Sequence, residues 1–152
     1  MDYGSVTINL KSENNDLSWY TLYQSVVEEG RIRRQSCCPG MFAIVTLKIE
    51  PHTERDTGKR IAVFENQITE IDYGRGKNPI DGADLQTICH GVISGIEVAC
   101  LDLKTKNYAI ARIKVTALSA IFHPIDSSKI AFERATISAL TKAFNEVELI
   151  KI

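Results

Sequence analysis

The chain has 152 residues and a formal net charge of −1 at neutral pH, with 44% hydrophobic and 24% charged residues. Such a length predicts one domain, residues 1–152, that buries a core without metal ions or disulfide bonds. The near-neutral charge argues against a strongly basic nucleic-acid-binding protein, whose affinity comes from neutralising phosphates, but it is compatible with a local basic patch.

Sequence patterns that would indicate a membrane, a disulfide framework or a metal site are missing. The N-terminal residues do not resemble a signal peptide, and no apolar run reaches the roughly 20 residues that cross a bilayer. The four cysteines, Cys37, Cys38, Cys89 and Cys100, lack both disulfide-scaffold spacing and the C-x2-C spacing of zinc sites. We therefore expect a cytoplasmic protein with free thiols, no cofactor and no membrane partner. The alternative is a metal or redox site at Cys37 and Cys38 that also includes Cys89 and His90.

The first half of the chain is predicted to be mainly β-structure. The predicted strands are residues 5–10, 31–35, 43–49 and 61–71, whereas residues 17–30 fit a strand or a short helix, and residues 72–84 form a loop. The alternation is clearest from residue 43 to residue 49, where every second side chain is apolar. This pattern indicates a half-buried strand with Ala43, Val45, Leu47 and Ile49 facing the core.

The second half is predicted to alternate between helices and strands. The predicted elements are a helix at 84–101 capped by Asp84, a strand at 109–117, a helix at 127–144 and a strand at 147–152. Gly91 and Gly95 are four residues apart on the first helix, a spacing that favours close helix packing. Helices late in a chain of strands predict an α+β fold, a two-layer sandwich with both helices on one face of a mixed sheet.

Several segments resemble domain IV of the translocase family, which includes elongation factor G, and they occur along this chain in the same order as in that family. They are HPIDSSKIAFERA at 123–135, GIEVA at 95–99, ARIKVTAL at 111–118, VVEEGRIRRQS at 26–36 and VTLKIEP at 45–51. The resemblance covers residues 24–152 and leaves residues 1–23 as an N-terminal extension. It implies the ribosomal protein S5 domain 2-like fold with a left-handed βαβ crossover, which periodicity cannot reveal.

The resemblance also implies which residues contact a partner. His123, followed by Pro124, aligns with the family histidine at the tip of the domain, where an imidazole can hydrogen-bond to RNA or stack on it. The alternative is a surface histidine that merely precedes a helix. The next polar residues, Asp126, Ser127 and Ser128, are predicted to cap that helix, because their side-chain oxygens can accept from unpaired amides.

A second predicted contact region is the loop at 36–43, SCCPGMFA, which replaces the glycine-rich loop of elongation factor G and keeps only Gly40. The contact candidates in and before this loop are Arg33, Arg34, Gln35, Ser36, Gly40 and Met41. The basic residues around the early strands and loops are expected to form either a phosphate-binding patch or a solvated strand face. These residues are Arg31, Lys59, Arg60, Arg75 and Lys77, together with Arg33 and Arg34.

Taken together, these patterns predict a translation-factor-like binding module that contacts the ribosome or structured RNA. The sequence contains no G-x-x-x-x-G-K-[ST] motif, so we expect a stand-alone domain IV-like protein that binds no nucleotide and has no GTPase activity. An enzyme is not expected, since no nucleophile–base pair or paired carboxylates are recognisable. The alternative is a protein-interaction or self-associating domain, such as a homo-oligomer, that kept the fold and lost RNA binding.

Overall fold

The computed structural model describes residues 4–12, 16–34, 40–52, 60–102 and 106–152. Within these ranges it contains two helices and ten strands. In chain order they are β1 (Ser5–Asn9), β2 (Ser18–Leu22), β3 (Val26–Arg34), β4 (Met41–Pro51), β5 (Ile61–Asn66), β6 (Glu70–Asp72), β7 (Lys77–Pro79), α1 (Gly82–Cys100), β8 (Tyr108–Ile110), β9 (Ile113–Ile121), α2 (Lys129–Glu146) and β10 (Leu149–Lys151).

The main sheet has the strand order β1-β5-β9-β4-β3, and the β6–β7 hairpin extends it beside the end of β9. β5 and β9 run parallel and are connected through α1, whereas β4 is antiparallel to both β9 and β3. The sheet is therefore mixed, and the predicted α+β arrangement is confirmed. The handedness of the β5-α1-β9 connection stays an expectation from the resemblance.

Both helices cover the same face of the main sheet. The alternating apolar residues of β4 are fully buried there, as their spacing predicts. α2 packs on β3 and β4, and Gly30 of β3 permits the contact, because a Cβ at this position would lie 1.8 Å from the carbonyl oxygen of Ala135. Sheet and helix backbones are thus in direct contact.

The two helices run in the same direction and touch through the predicted glycines. A Cβ on Gly91 would lie 2.6 Å from the carbonyl oxygen of Lys129, and one on Gly95 would lie 2.7 Å from that of Glu133. Ser94 of α1 also donates a hydrogen bond to the Glu133 carboxylate. The N-terminus of α2 is therefore fixed against the middle of α1.

A second, three-stranded sheet has the order β10-β2-β8. It shows that the single predicted strand at 109–117 is wrong, since β8 belongs to this sheet and β9 to the main sheet. Arg112 lies between them with φ 55°, its amide donates to the Ile61 carbonyl at 2.7 Å, and its carbonyl accepts from His52 at 2.8 Å. Apolar alternation continues through this break, which is why the pattern did not reveal it.

Several predicted boundaries also differ from the structure. The first helix is Gly82–Cys100 instead of 84–101, because Asp81 and not Asp84 is the N-cap, accepting from the Ala83 amide at 2.7 Å. The second helix is Lys129–Glu146 instead of 127–144. The strand at 61–71 is interrupted where the Asn66 side chain bonds the backbone of Ile68, and the loop at 72–84 contains β7.

The residues predicted as an N-terminal extension take part in both sheets. β1 pairs with β5 along its whole length, and β2 pairs with β8 and β10. Trp19 of β2 is 3% exposed. Residues before position 24 therefore contribute to the core, while the division of the chain at that position stays a prediction.

Candidate nucleic-acid interface

Three chain segments meet at one end of the main sheet, which we call the tip. They are the ends of β3 and β4 (residues 33–34 and 40–42), the turn between β9 and α2 (residues 122–128, the His123 turn) and the β6–β7 hairpin (residues 70–79). Strand pairing fixes their order across the sheet, since Arg34 lies opposite Met41 and the end of β9 pairs with Ile44 on one side and Asp72 on the other.

The His123 turn is closed by its own hydrogen bonds and attached to β4. The Ser127 amide donates to the His123 carbonyl at 3.0 Å, and the His123 amide donates to Ser127 Oγ at 2.8 Å. Ser127 Oγ in turn donates to the Phe42 carbonyl at 2.6 Å, and the Phe42 amide donates to the Asp126 carbonyl at 3.0 Å. Both backbone groups of Phe42 therefore hold the turn in place.

The His123 side chain is 36% exposed and takes part in the turn through one ring nitrogen. Nδ1 accepts from the backbone nitrogens of Ile125, at 3.2 Å, and of Asp126, at 3.0 Å. A nitrogen that accepts from two amides carries no proton, so the proton of the neutral ring lies on Nε2. The ring lies 5.9 Å from that of Phe42, and Nε2 is the atom that can donate to a partner.

Apolar side chains of the His123 turn and of the first turn of α2 are unusually exposed. Pro124 is exposed, Ile125 is 85% exposed, and Ile130 in the first turn of α2 is 52% exposed. Sequence reasoning missed the two isoleucines. The available signal was that Ile125 stands in a Pro-x-Asp turn where no core position is expected.

Of the three predicted capping residues, Ser128 is the N-cap of α2, and its Oγ accepts from the Ala131 amide at 3.2 Å. Ser127 and Asp126 precede the cap, because the helix begins later than predicted. Ser127 bridges to β4, while the Asp126 carboxylate lies against Gly40. A Cβ on Gly40 would lie 2.5 Å from Asp126 Oδ1, so a larger residue there would displace the Asp126 carboxylate.

The predicted basic residues are not all at the tip. Arg33 and Arg34 end β3 there, and Arg34 Nη2 lies 3.4 Å from the sulfur of Met41. Arg134 of α2 points its Nη1 to the same sulfur at 3.7 Å. Arg60 precedes β5 at the opposite end of the sheet, where its guanidinium lies 4.7 Å from the centre of the Trp19 ring. Gln35, Ser36 and Lys59 lie outside the described residues.

The model of elongation factor G domain IV matches residues 21–148 of this chain. The chain belongs to the elongation factor G domain IV family. An elongation factor G from Carsonella ruddii (strain PV) is 29% identical in an alignment of 133 residues that covers 83% of this chain and 16% of that protein. The chain thus spans about a sixth of the length of the curated relative that it matches.

A solved structure supports the same fold. A crystal structure of a protein from Thermus thermophilus superposes with a TM-score of 0.66 and 19% identity, covering 92% of this chain and 18% of that one. The two helices on a mixed sheet are the ribosomal protein S5 domain 2-like fold of elongation factor G domain IV. The chain is a translation-factor-like module, and domain IV by itself lacks the GTPase domain of the factor.

Buried thiols are the other chemically notable groups of this domain IV. Cys89 and Cys100 in α1 are fully buried, and burial raises the pKa of each thiol to about 12. Cys37 and Cys38 lie outside the described residues. In the described ranges, no three His, Cys, Asp or Glu side chains are placed to hold a metal ion, and neither helix is long and apolar enough to cross a membrane.

A cavity of about 370 Å³ lies far from the tip, at the C-terminal ends of both helices. Asp102 and Lys106 both line it, and the Lys106 ammonium donates to the carbonyls of Ala99, at 2.8 Å, and Asp102, at 3.0 Å. Burial lowers the pKa of Lys106. Because a cation is favourable at a helix C-terminus, this lysine stabilises the end of α1, and the tip remains the better candidate for a binding surface.

Proposed function

We propose that this domain is a cytoplasmic, translation-factor-like binding module that contacts the ribosome or structured RNA through its tip and hydrolyses no nucleotide itself. The observation that supports this most is the His123 turn, which fixes a partly exposed imidazole at the end of the sheet. Arg33 and Arg34 stand two strands away, where their charge can attract phosphate groups.

The chemistry of the tip suits acceptor groups on RNA. With Nδ1 occupied by two backbone amides, the imidazole offers a proton only at Nε2, so its partner is an acceptor such as a phosphate oxygen, a 2′-hydroxyl or a base carbonyl. Pro124 and Ile125 can pack on an exposed base or sugar beside it. Because the net charge of the chain is only −1, we expect modest affinity that weakens as salt increases.

Co-sedimentation with purified ribosomes across a salt series tests this proposal. We expect binding at low salt, weaker binding for Arg33→Ala/Arg34→Ala, and unchanged binding for the control Lys11→Ala/Lys151→Ala. The control removes the same charge from exposed positions outside the tip. Wild-type protein that stays in the supernatant even at the lowest salt would rule the proposal out.

Self-association is the second candidate function, and the exposed isoleucines of the His123 turn and of the first turn of α2 favour it. Ile125 and Ile130 present apolar surface that a second copy of the chain would cover. Multi-angle light scattering distinguishes the two functions. A dimer that dissociates in Ile125→Ser and does not bind ribosomes would favour self-association over RNA contact, whereas a monomer at all concentrations would remove it.

A further inference from the structure

The β6–β7 hairpin presents a basic side chain at an exposed apex. Asp72 pairs with Lys77, so residues 73–76 form a four-residue loop between the strands. Gly74 and Gly76 have φ values of 93° and 90°, and a Cβ on either would meet open space. The Gly74 amide bonds Asp72 Oδ1 at 2.6 Å, which shapes the loop. Arg75 therefore stands alone between two glycines at the end of the hairpin.

The hairpin is firmly attached to the His123 turn. The Phe122 amide donates to the Asp72 carbonyl at 2.9 Å, one residue before the histidine. The rings of Tyr73 and Phe122 pack edge to face at 5.9 Å, and the Tyr73 hydroxyl donates to Asp84 Oδ2 at 2.7 Å. The loop end of the hairpin is thus held by α1 as well as by β9, and its position relative to His123 is fixed by the fold.

The hairpin lies on the opposite side of the His123 turn from Arg33 and Arg34. The lateral order at the tip is β3, β4, β9, β6 and β7, so four strand spacings of about 4.8 Å place the two basic groups roughly 19 Å apart. That separation is too large for one phosphate group. Two basic groups that flank a hydrogen-bond donor are an arrangement suited to an RNA backbone that passes across all three.

The acidic residues of the hairpin lie on β6, whereas its basic residues lie in the apex loop and on β7. Glu70 and Asp72 belong to β6, and the Asp72 carboxylate accepts from the Gly74 amide and stands opposite Lys77. Arg75 and Lys77 are both exposed and lie at or beside the apex. The hairpin has no formal net charge, and Arg75 is the charged residue of its apex loop, residues 73–76.

We propose that the β6–β7 hairpin is a second phosphate-contacting element, through which Arg75 and Lys77 bind the same RNA that His123 and the end of β3 contact. This inference rests on the proposed function and extends it to a segment that the sequence predicted to be a loop. Arg75 recognises phosphate through its planar guanidinium, whereas Lys77 acts as a charge near the backbone. The three elements of the tip then span one continuous RNA surface.

The salt dependence of binding tests the hairpin directly, with purified ribosomes and deproteinised ribosomal RNA as the two probes. For Arg75→Ala/Lys77→Ala we expect weaker binding, and a slope of log affinity against log salt that is smaller by about 0.7–0.9 for each phosphate that the variant no longer neutralises. The matched control Lys11→Ala/Lys151→Ala should keep the wild-type slope. Arg75→Lys should keep most of the slope but lose affinity, because charge remains and the bidentate geometry does not.

Each outcome separates this inference from the proposed function. If wild-type protein binds neither probe, the proposed function fails. If it binds both and the double variant, folded by circular dichroism, binds with an unchanged slope, the proposed function stands and the hairpin's role is refuted. A loss seen with ribosomes but not with deproteinised RNA that wild type binds would assign the hairpin to a ribosomal protein and overturn the inference.

Discussion

Nδ1 of His123 lies 3.0 Å from the backbone nitrogen of Asp126, which donates a hydrogen bond to it. The amide of Ile125 donates to the same atom. The imidazole therefore stabilises its own turn with one nitrogen and keeps the other for a partner. The structural role of Nδ1 and the proposed binding role of Nε2 can therefore be tested separately, with one substitution that replaces only Nδ1 and another that replaces only Nε2.

We expect His123→Asn to fold normally and bind poorly. Asparagine can place its side-chain oxygen near the position of Nδ1 and accept from the same amides, but it has no group at the position of Nε2. Its free energy of unfolding in urea should stay within about 0.5 kcal/mol of wild type, while ribosome co-sedimentation falls. Wild-type binding by this variant would show that Nε2 makes no contact.

We expect His123→Gln to show the opposite pattern. Glutamine extends a donor toward the position of Nε2 but leaves the two turn amides without their acceptor. Losing that acceptor should lower the free energy of unfolding by about 1 kcal/mol, with binding reduced less than in His123→Asn. If the two variants were equally stable, the hydrogen bonds to Nδ1 would contribute nothing to the turn.

We expect Ser127→Ala to be more harmful than Ser128→Ala. Ser127 Oγ bonds both the His123 amide and the Phe42 carbonyl, so its loss leaves two backbone groups unpaired and should cost about 1–3 kcal/mol. Ser128→Ala removes only the N-cap, at about 1 kcal/mol, and Ser128→Asp should restore it. Urea unfolding of the three variants measures this order, and equal losses would contradict it.

Local patterns allowed much of the fold to be predicted, because they report which residues face the core. The buried face of β4 and both helices were found in this way. Two features were not predicted: the break between β8 and β9 at Arg112, and the β6–β7 hairpin. Both depend on which strands pair with each other, and strand pairing cannot be read from a local pattern. The contact of Gly40 with Asp126 is equally invisible, because the two residues are far apart in sequence.

The site was predicted less completely than the fold. The resemblance led to His123 and the serines after it. The role of Nδ1 as an acceptor for two backbone amides could not be predicted, because every residue except proline has such an amide and the sequence does not show where it points. The spacing of polar residues suggested three helix caps where the structure has one, at Ser128. Proximity of the hairpin to the turn follows from the single pairing of Asp72 with Ile121, which no local pattern indicates.

We expect Gly30→Ala to destabilise the domain strongly. The added methyl group would collide with the Ala135 carbonyl oxygen, and a backbone atom inside a helix cannot move aside without shifting α2. The cost should exceed about 2 kcal/mol in urea unfolding. Gly82→Ala is the matched control, because nothing lies within 4 Å of its Cβ position and alanine favours the helix. Equal stability of the two variants would refute the close contact between β3 and α2.

We expect the domain to lose stability at alkaline pH through Cys89 and Cys100. Burial raises the pKa of each thiol to about 12 in the folded chain, against about 9 for an exposed thiol. Above about pH 9 the unfolded chain releases these protons and the folded chain keeps them, so the unfolded state gains stability. The free energy of unfolding should therefore be unaffected by these groups below about pH 9 and then fall with rising pH, by up to about 1.4 kcal/mol per pH unit for each thiol.

Urea unfolding between about pH 8 and pH 10.5 measures this decline, and Cys89→Ala/Cys100→Ala provides the comparison. The variant should be less stable at pH 8, because each substitution leaves a small cavity where the sulfur was, but its stability should decline less steeply than that of wild type. Cys37 and Cys38 are present in both proteins, so they do not contribute to the difference in slope. Parallel pH profiles would mean that the two helix thiols ionise as readily in the folded chain as in the unfolded one, contrary to their complete burial.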